Sequence, residues 1–487
     1  MPRYCSIKCF KIRKLICQDG TSDGGLAMSA GLELFSESAS IDPQDDKAVR
    51  RMIFKLAGPS LTEMLLMNMT QMVMMILVGH LGAIAVAAVG LTSQPYLLLT
   101  VLFAALNTGT TVIVARSTGA GKMGDANRAA GQSLLLGTVL SVIIVALGVT
   151  FAESMLHLMG ASTEVVQYGL PYAKLMFFSI GFSSISSALS AILRGAGDTR
   201  TPMKINVMSG CVNVILGFVL IYGHLDFPQM GITGAAIATL VVQTGAMICF
   251  IVVMFSGRFA VRIGWSDISR LDKAMISRML KIGIPSSLEQ LIMRLGIMTF
   301  VKICAGLGTV AVAASQIVTS IIGISFMPGA AFAIAASTLV GQTLGVSKPD
   351  LAERYVWQVR KYGMFVAGFM GALFILLAPH ILMLYTNDET IIREGAWALR
   401  IVGFIQVSQI SQFVLGGALR GAGDTRYPLY STFIGVWGIR VVLSYLFVYV
   451  FHWGMVGLWS AVACDQFLRS NLIYLRFKRG AWKHLKV

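Results

Sequence analysis

From about residue 54 to residue 476 the chain alternates long apolar runs with short polar breaks. Runs such as Ser133 to Phe151 and Gly363 to Pro379 carry no charged side chain. They approach the length of about 20 residues at which a helix crosses a bilayer. Hydrocarbon offers the backbone no partner, so a run of this kind must satisfy its own N–H and C=O groups and is helical. About twelve spans of this length follow one another, several of them holding a few charged residues, at roughly 54–79, 92–116, 130–152, 165–192, 202–223, 232–256, 277–303, 314–342, 358–379, 391–418, 428–451 and 455–476. The pattern predicts an all-α polytopic membrane protein with about twelve transmembrane helices.

Composition agrees. Of 487 residues, 56% are hydrophobic and 13% charged, and the mean hydropathy is +0.74; a soluble domain carries about 25% charged residues. The 50 glycines suit helices that pack closely through small side chains. A net charge of +16 raises the question of nucleic acid, and its distribution answers it. Lysine and arginine gather in alternate breaks, such as Lys122 and Arg128, Arg194 to Lys204, and Arg258 to Arg278. The intervening breaks hold Glu153, Glu164, Asp226, Asp388 and Glu389 instead. That is the positive-inside pattern of a membrane protein, not a basic groove, and it places both termini in the cytoplasm. The seven cysteines show no Cys-x-x-Cys pair, and no histidine has metal-ligand spacing, so we expect no metal centre or disulfide framework.

One stretch organises the rest. Leu193-Arg194-Gly195-Ala196-Gly197-Asp198-Thr199-Arg200 recurs letter for letter as Leu419 to Arg426, and Pro202 and Pro428 follow the two copies. The offset is 419 − 193 = 226 residues, and it holds away from the motif: Pro59, Glu63, Gly119 and Arg128 return as Pro285, Glu289, Gly345 and Arg354. Only the last helix pair slips, by three residues, where Gly231 and Gly234 match Gly454 and Gly457. A repeat this long is half a molecule, not a solenoid unit. Six spans per half is an even number, so both halves enter from the same side, as parallel lobes about a pseudo-twofold along the membrane normal. The reading divides the chain into a cytosolic tail (1–50), an N-terminal six-helix lobe (51–256), a cytoplasmic linker (257–275), a C-terminal six-helix lobe (276–478) and a basic tail (479–487).

The doubled octapeptide reads as a helix end, a glycine turn and a new helix start. Arg194, Asp198, Arg420 and Asp424 are either parts of that turn or a cytoplasmic gate whose ion pairs break during turnover. Carboxylates inside the spans are the sharper signal, because an intramembrane acid is costly and by default functional. Glu63 lies about one turn beyond Pro59 and Glu289 about one turn beyond Pro285; symmetry sets them facing one another across a central cleft. A proton, a Na+ ion or a cationic guest can each neutralise such a group at the expense of the others. The alternative is a static role, with Glu63 bonded to Asn68 or Gln71 and Glu289 to Gln290 or Arg294. Glu63, Glu289, Asn68, Gln71, Met74, Gln290 and Gln409 form the candidate substrate- and cation-binding set. Met64, Met67, Met69, Met72 and Met75 add polarisable surface to the first span. Asp465 and Arg469, four apart, read as a structural ion pair.

Val78-Gly79-His80-Leu81-Gly82, the doubled octapeptide with its proline, and Gly231 to Thr239 together resemble the multidrug and toxic compound extrusion (MATE) family. The resemblance covers about residues 50 to 478. It implies two six-helix lobes around a central cleft and export of organic, often cationic, compounds against inward Na+ or H+. Many members carry an aspartate where this chain has Met74, and some carry an acid in the tenth span, where Gln406, Gln409 and Gln412 stand here. Glu63 and Glu289 are the acids this chain offers instead, and the one place for Na+. The expectation is a secondary antiporter of the plasma membrane, working as a monomer on small molecules, with no cofactor beyond its coupling ion. A flippase for a lipid-linked precursor is the alternative. An enzyme is disfavoured, since the six histidines are isolated.

Overall fold

The computed structural model describes residues 46–256, 261, 263, 264, 267, 268 and 270–485. Cys5, Cys9 and Cys17, nearly all of the 1–50 tail and part of the 257–275 linker lie outside the described residues. Twelve long helices run through the rest: α1 (Asp46–Gly79), α2 (Ala83–Gly119), α3 (Met123–Thr150), α4 (Thr163–Gly195), α5 (Arg200–Tyr222), α6 (Gly231–Phe255), α7 (Lys273–Ala305), α8 (Thr309–Gly345), α9 (Pro349–Leu376), α10 (Glu389–Gly421), α11 (Arg426–Val450) and α12 (Gly454–Lys478). Ten are long and apolar enough to cross a membrane. The other two, α7 and α12, have the length but carry more polar side chains, among them Glu289, Arg294, Asp465 and Arg469. α1, α2, α3 and α9 begin seven to nine residues before the apolar stretches read from the sequence, whereas α5, α6 and α11 begin within two residues of theirs.

The slip of three residues has a local cause. Eight residues, 223–230, join α5 to α6, whereas three, 451–453, join α11 to α12; α11 is two residues longer than α5, 25 against 23, which leaves the net slip of three. The helix itself differs too. α5 is regular throughout, and α11 passes through two π-helical segments, Ile434–Val441 and Leu446–Val450.

Packing departs from the repeat boundaries in one respect. The first turns of α1 (Val49, Met52, Ile53, Leu56) are buried among α8, α9 and α10 of the C-terminal half. In the symmetric exchange, Met275, Met279 and Ile282 of α7 are buried among α2, α3 and α4 of the N-terminal half. Each helix therefore begins in the core of the opposite half and further along packs against its own, α1 beside α5 and α7 beside α11. At the same end of the bundle, α2 and α8 touch backbone to backbone. A Cβ on Gly119 would collide with the carbonyl of Gln342, and one on Gly345 with the carbonyl of Arg116. The two contacts are images of each other, since 119 + 226 = 345 and 116 + 226 = 342. The lobes are thus shut together at the end that carries the octapeptide turns.

Candidate substrate cavities and twin ion pairs

Both octapeptides fold alike. Two residues past the end of each helix, Gly197 stands at φ +97° and Gly423 at φ +90°, the left-handed backbone that favours glycine. The N–H of Asp198 then reaches the carbonyl of Leu193, and that of Asp424 the carbonyl of Leu419, each at 2.9 Å. Asp198 Oδ1 accepts from the N–H groups of Arg200 and Thr201 at 3.0 and 3.1 Å and caps α5. Asp424 instead pairs with Arg476 at 2.8 Å. Arg476 also lies 5.2 Å over the ring of Tyr427.

The arginine that closes each long helix turns back onto the acid of its own half. Arg194 Nη2 donates to Glu63 Oε1 at 2.6 Å, and Asn206 Nδ2 donates to the same oxygen at 2.6 Å. In the second half Arg420 Nη1 donates to Glu289 at 3.2 Å, and the hydroxyl of Thr432 donates to it at 3.4 Å. All three positions keep the offset: 63 and 289, 194 and 420, 206 and 432. The N-terminal pair is the tighter, and its carboxylate is the more deeply buried. Glu63 Oε2 is buried with no hydrogen-bond partner among the described residues.

Two cavities adjoin these pairs. One, of about 410 Å³, lies inside the N-terminal lobe and is lined by Glu63, Met67, Asn206, Gln243 and several serines of α4. The other, of about 330 Å³, lies between the lobes, lined from one side by α1, α2 and α4 and from the other by α8 and α10. Asn107, Ser187 and Arg194 border both, and the Asn107 amide donates to Ser187 at 2.7 Å. The arginines Arg194 and Arg420, rather than the glutamates, reach the space between the lobes.

The remaining sequence candidates fall elsewhere. Asn68, Gln71, Gln290 and Arg294 are exposed and line neither cavity; the glutamates take their partners from the motif arginines and from α5 and α11. Met74 sits against Gly217, whose missing side chain makes room for the thioether. Of the other methionines, Met64 borders the interlobe cavity and Met67 the N-lobe cavity, while Met69, Met72 and Met75 are exposed. Gln409 is buried with its carbonyl oxygen unpartnered among the described residues, and the Gln406 amide donates to Ser325 at 3.1 Å. Asn206, Thr432 and the α4 serines escaped the sequence reading. Asn206 and Thr432 were within reach of it, since both obey the 226-residue offset from each other.

Asp465 pairs with Arg469 at 2.7 Å and also with Arg440 at 2.6 Å, and all three are buried. The N-terminal half has no counterpart; the equivalent positions are Val214, Val242 and Ala246. Among the described residues no three His, Cys, Asp or Glu side chains cluster as metal ligands.

Two parallel helical lobes enclosing a shared cavity, with ion pairs inside the helical bundle, define a polytopic membrane protein built as a transporter is built. The comparisons name the class: a sequence profile of the MatE family matches residues 59–219 and again 285–446, and the chain belongs to that family. A probable multidrug resistance protein, NorM, of Thermotoga maritima is 30% identical over 443 residues, 89% of this chain and 93% of that one. An uncharacterised transporter, YisQ, of Bacillus subtilis is 28% identical over 82% of this chain and 87% of its own length. A MOP-superfamily transporter structure from Pyrococcus furiosus superposes with a TM-score of 0.85 at 25% identity, covering 94% of this chain and 99% of that one.

Proposed function

We propose that the protein is a secondary active antiporter that exports organic compounds of drug size in exchange for Na+ or H+. It would do so by alternating access between its two lobes, as a monomer in the plasma membrane with both termini in the cytoplasm. The observation that carries this reading is the pair of symmetry-related Glu–Arg contacts, Glu63–Arg194 and Glu289–Arg420. Each carboxylate is neutralised by an arginine of the octapeptide turn; a proton or Na+ is the alternative neutraliser, and the two exclude one another. The turn is also part of the seam between lobes, since the Thr338 hydroxyl of α8 donates to the carbonyl of Arg194 at 3.3 Å. Exchanging arginine for a cation on the glutamate therefore acts on the contact that shuts this end. A ligand shifts such an equilibrium only by its differential affinity for the two states, and the seam supplies that difference. The names of the NorM relatives support multidrug export as the task.

The test is efflux of fluorescent organic dyes from proteoliposomes under separately imposed Na+ and H+ gradients. One gradient drives the wild type. Glu289→Gln and Glu63→Gln each abolish the response to it while the protein inserts normally. Efflux that stays gradient-driven in both variants rejects the glutamates as coupling sites, and efflux driven by neither gradient in the wild type rejects antiport.

A further inference from the structure

The cavity between the lobes has a definite charge character. Among the described residues that border it, the only ones with a formal charge are Arg194 and Arg420. In each ion pair the carboxylate is the less exposed partner, 7% for Glu63 against 25% for Arg194 and 17% for Glu289 against 24% for Arg420. The pairs are dipoles with their positive ends toward the same space. Glu63 engages one nitrogen of Arg194, Nη2, and Glu289 one nitrogen of Arg420, Nη1. A guanidinium presents five N–H donors in a planar fork, so most donors of each are not spent on its glutamate. Around them Asn107, Thr108, Ser187 and Ser337 offer neutral hydrogen bonds, and Met64 and Phe413 offer apolar surface. A cation entering this space meets two like charges. A carboxylate or phosphate meets forks of matching geometry. The volume of about 330 Å³ falls in the range of sites for small organic ligands.

Resting on the transport reading above, we propose that the cavity between the lobes binds an organic anion, an amphiphile carrying a carboxylate or phosphate group, held between Arg194 and Arg420. The duplication then has a purpose at the cavity: it sets one guanidinium on each lobe, so an anion bound to both bridges the halves.

The experiment titrates purified full-length protein with carboxyfluorescein and with ethidium, read by fluorescence polarisation. The wild type binds the anionic dye ~10-fold or more tightly than the cationic one, the scale of one or two charge-assisted hydrogen bonds. Arg420→Gln lowers the affinity for carboxyfluorescein by ~10-fold and Arg420→Lys restores part of it. Thr108→Asp, outside the octapeptide, sets a carboxylate on the same wall; it weakens carboxyfluorescein and strengthens ethidium, and so separates charge from folding. Competition between carboxyfluorescein and a fluorescent short-chain phosphatidate assigns the anion to a lipid headgroup, and its absence assigns it to a free solute. Tighter binding of ethidium by the wild type, or an anion affinity unchanged in both Arg420→Gln and Thr108→Asp, overturns the proposal. Anion binding without gradient-driven transport overturns antiport and leaves the anion site standing.

Discussion

Asp465 is the most demanding single residue in the molecule. It is fully buried and serves two arginines at once, accepting from Arg440 Nε and Nη2 and from Arg469 Nε and Nη2 at 2.6–2.9 Å. One carboxylate thus balances two guanidiniums inside the helical bundle, and Arg469 Nη1 has no partner among the described residues. Neutralising the acid would leave two buried cations without a counter-charge, a loss of about 3–5 kcal/mol. Asp465→Asn should therefore lower the thermal midpoint in detergent sharply, and replacing all three residues by apolar ones of similar size should recover most of it. An Asp465→Asn protein as stable as the wild type would show that this cluster does not tie α11 to α12. The sequence revealed Asp465 and Arg469, four apart on one helix. Arg440, 25 residues away on another helix, was hidden from it, because helical spacing says nothing about a partner that packing brings.

Between helices, the seam of α2 and α8 depends on Gly119 and Gly345. Each lies against a backbone carbonyl of the opposite helix with no room for a Cβ, the close approach that small residues give membrane helices. Gly345→Ala should hold the lobes apart at the octapeptide end. Hydrogen exchange would report this as faster exchange of the amides in residues 338–348, with exchange in the core of α10 unchanged. Unaltered exchange at 338–348 would mean that the seam yields elsewhere. At the other end, Asp388 caps α10, and the Thr390 hydroxyl, followed by the N–H groups of Thr390 and Ile391, holds its carboxyl below the usual range. A lowered carboxyl pKa stabilises the folded helix start above the ordinary carboxylate range and loses that contribution as pH falls through the lowered value. Acidification should thus loosen the first turn of α10, read as faster exchange at Thr390 and Ile391, and Asp388→Asn should remove the dependence.

At the scale of the whole molecule, two identical octapeptides live in different surroundings. Asp424 is fastened to Arg476 of its own lobe. Asp198 has one oxygen unpartnered among the described residues, and the adjacent Gly197 lies against the Gln342 side chain of the opposite lobe. The C-terminal segment adds a further tie across the lobes. Trp482 is buried against Phe477, Lys483 pairs with Asp350 and Glu353, and the Leu485 carbonyl accepts from Arg116 of α2 at 2.6 Å. Trp482→Ala should cost about 3–5 kcal/mol of stability, as buried tryptophans do. It should also speed exchange at the end of α2, where a purely local role would leave exchange unchanged.

The chain by itself determined that the protein lies in a membrane, since its apolar runs can hide their backbone only as helices. It also determined that two halves repeat at a fixed offset and that the octapeptide and two acids recur with them. Those facts are local or periodic, and helical spacing records them. Only the tertiary structure decided that Glu63 and Glu289 each find an arginine 131 residues away, that α1 and α7 begin in the opposite half's core, and that arginines face the shared cavity. The direction a side chain takes between helices is set by which helices pack beside it, and that information is spread over the whole fold.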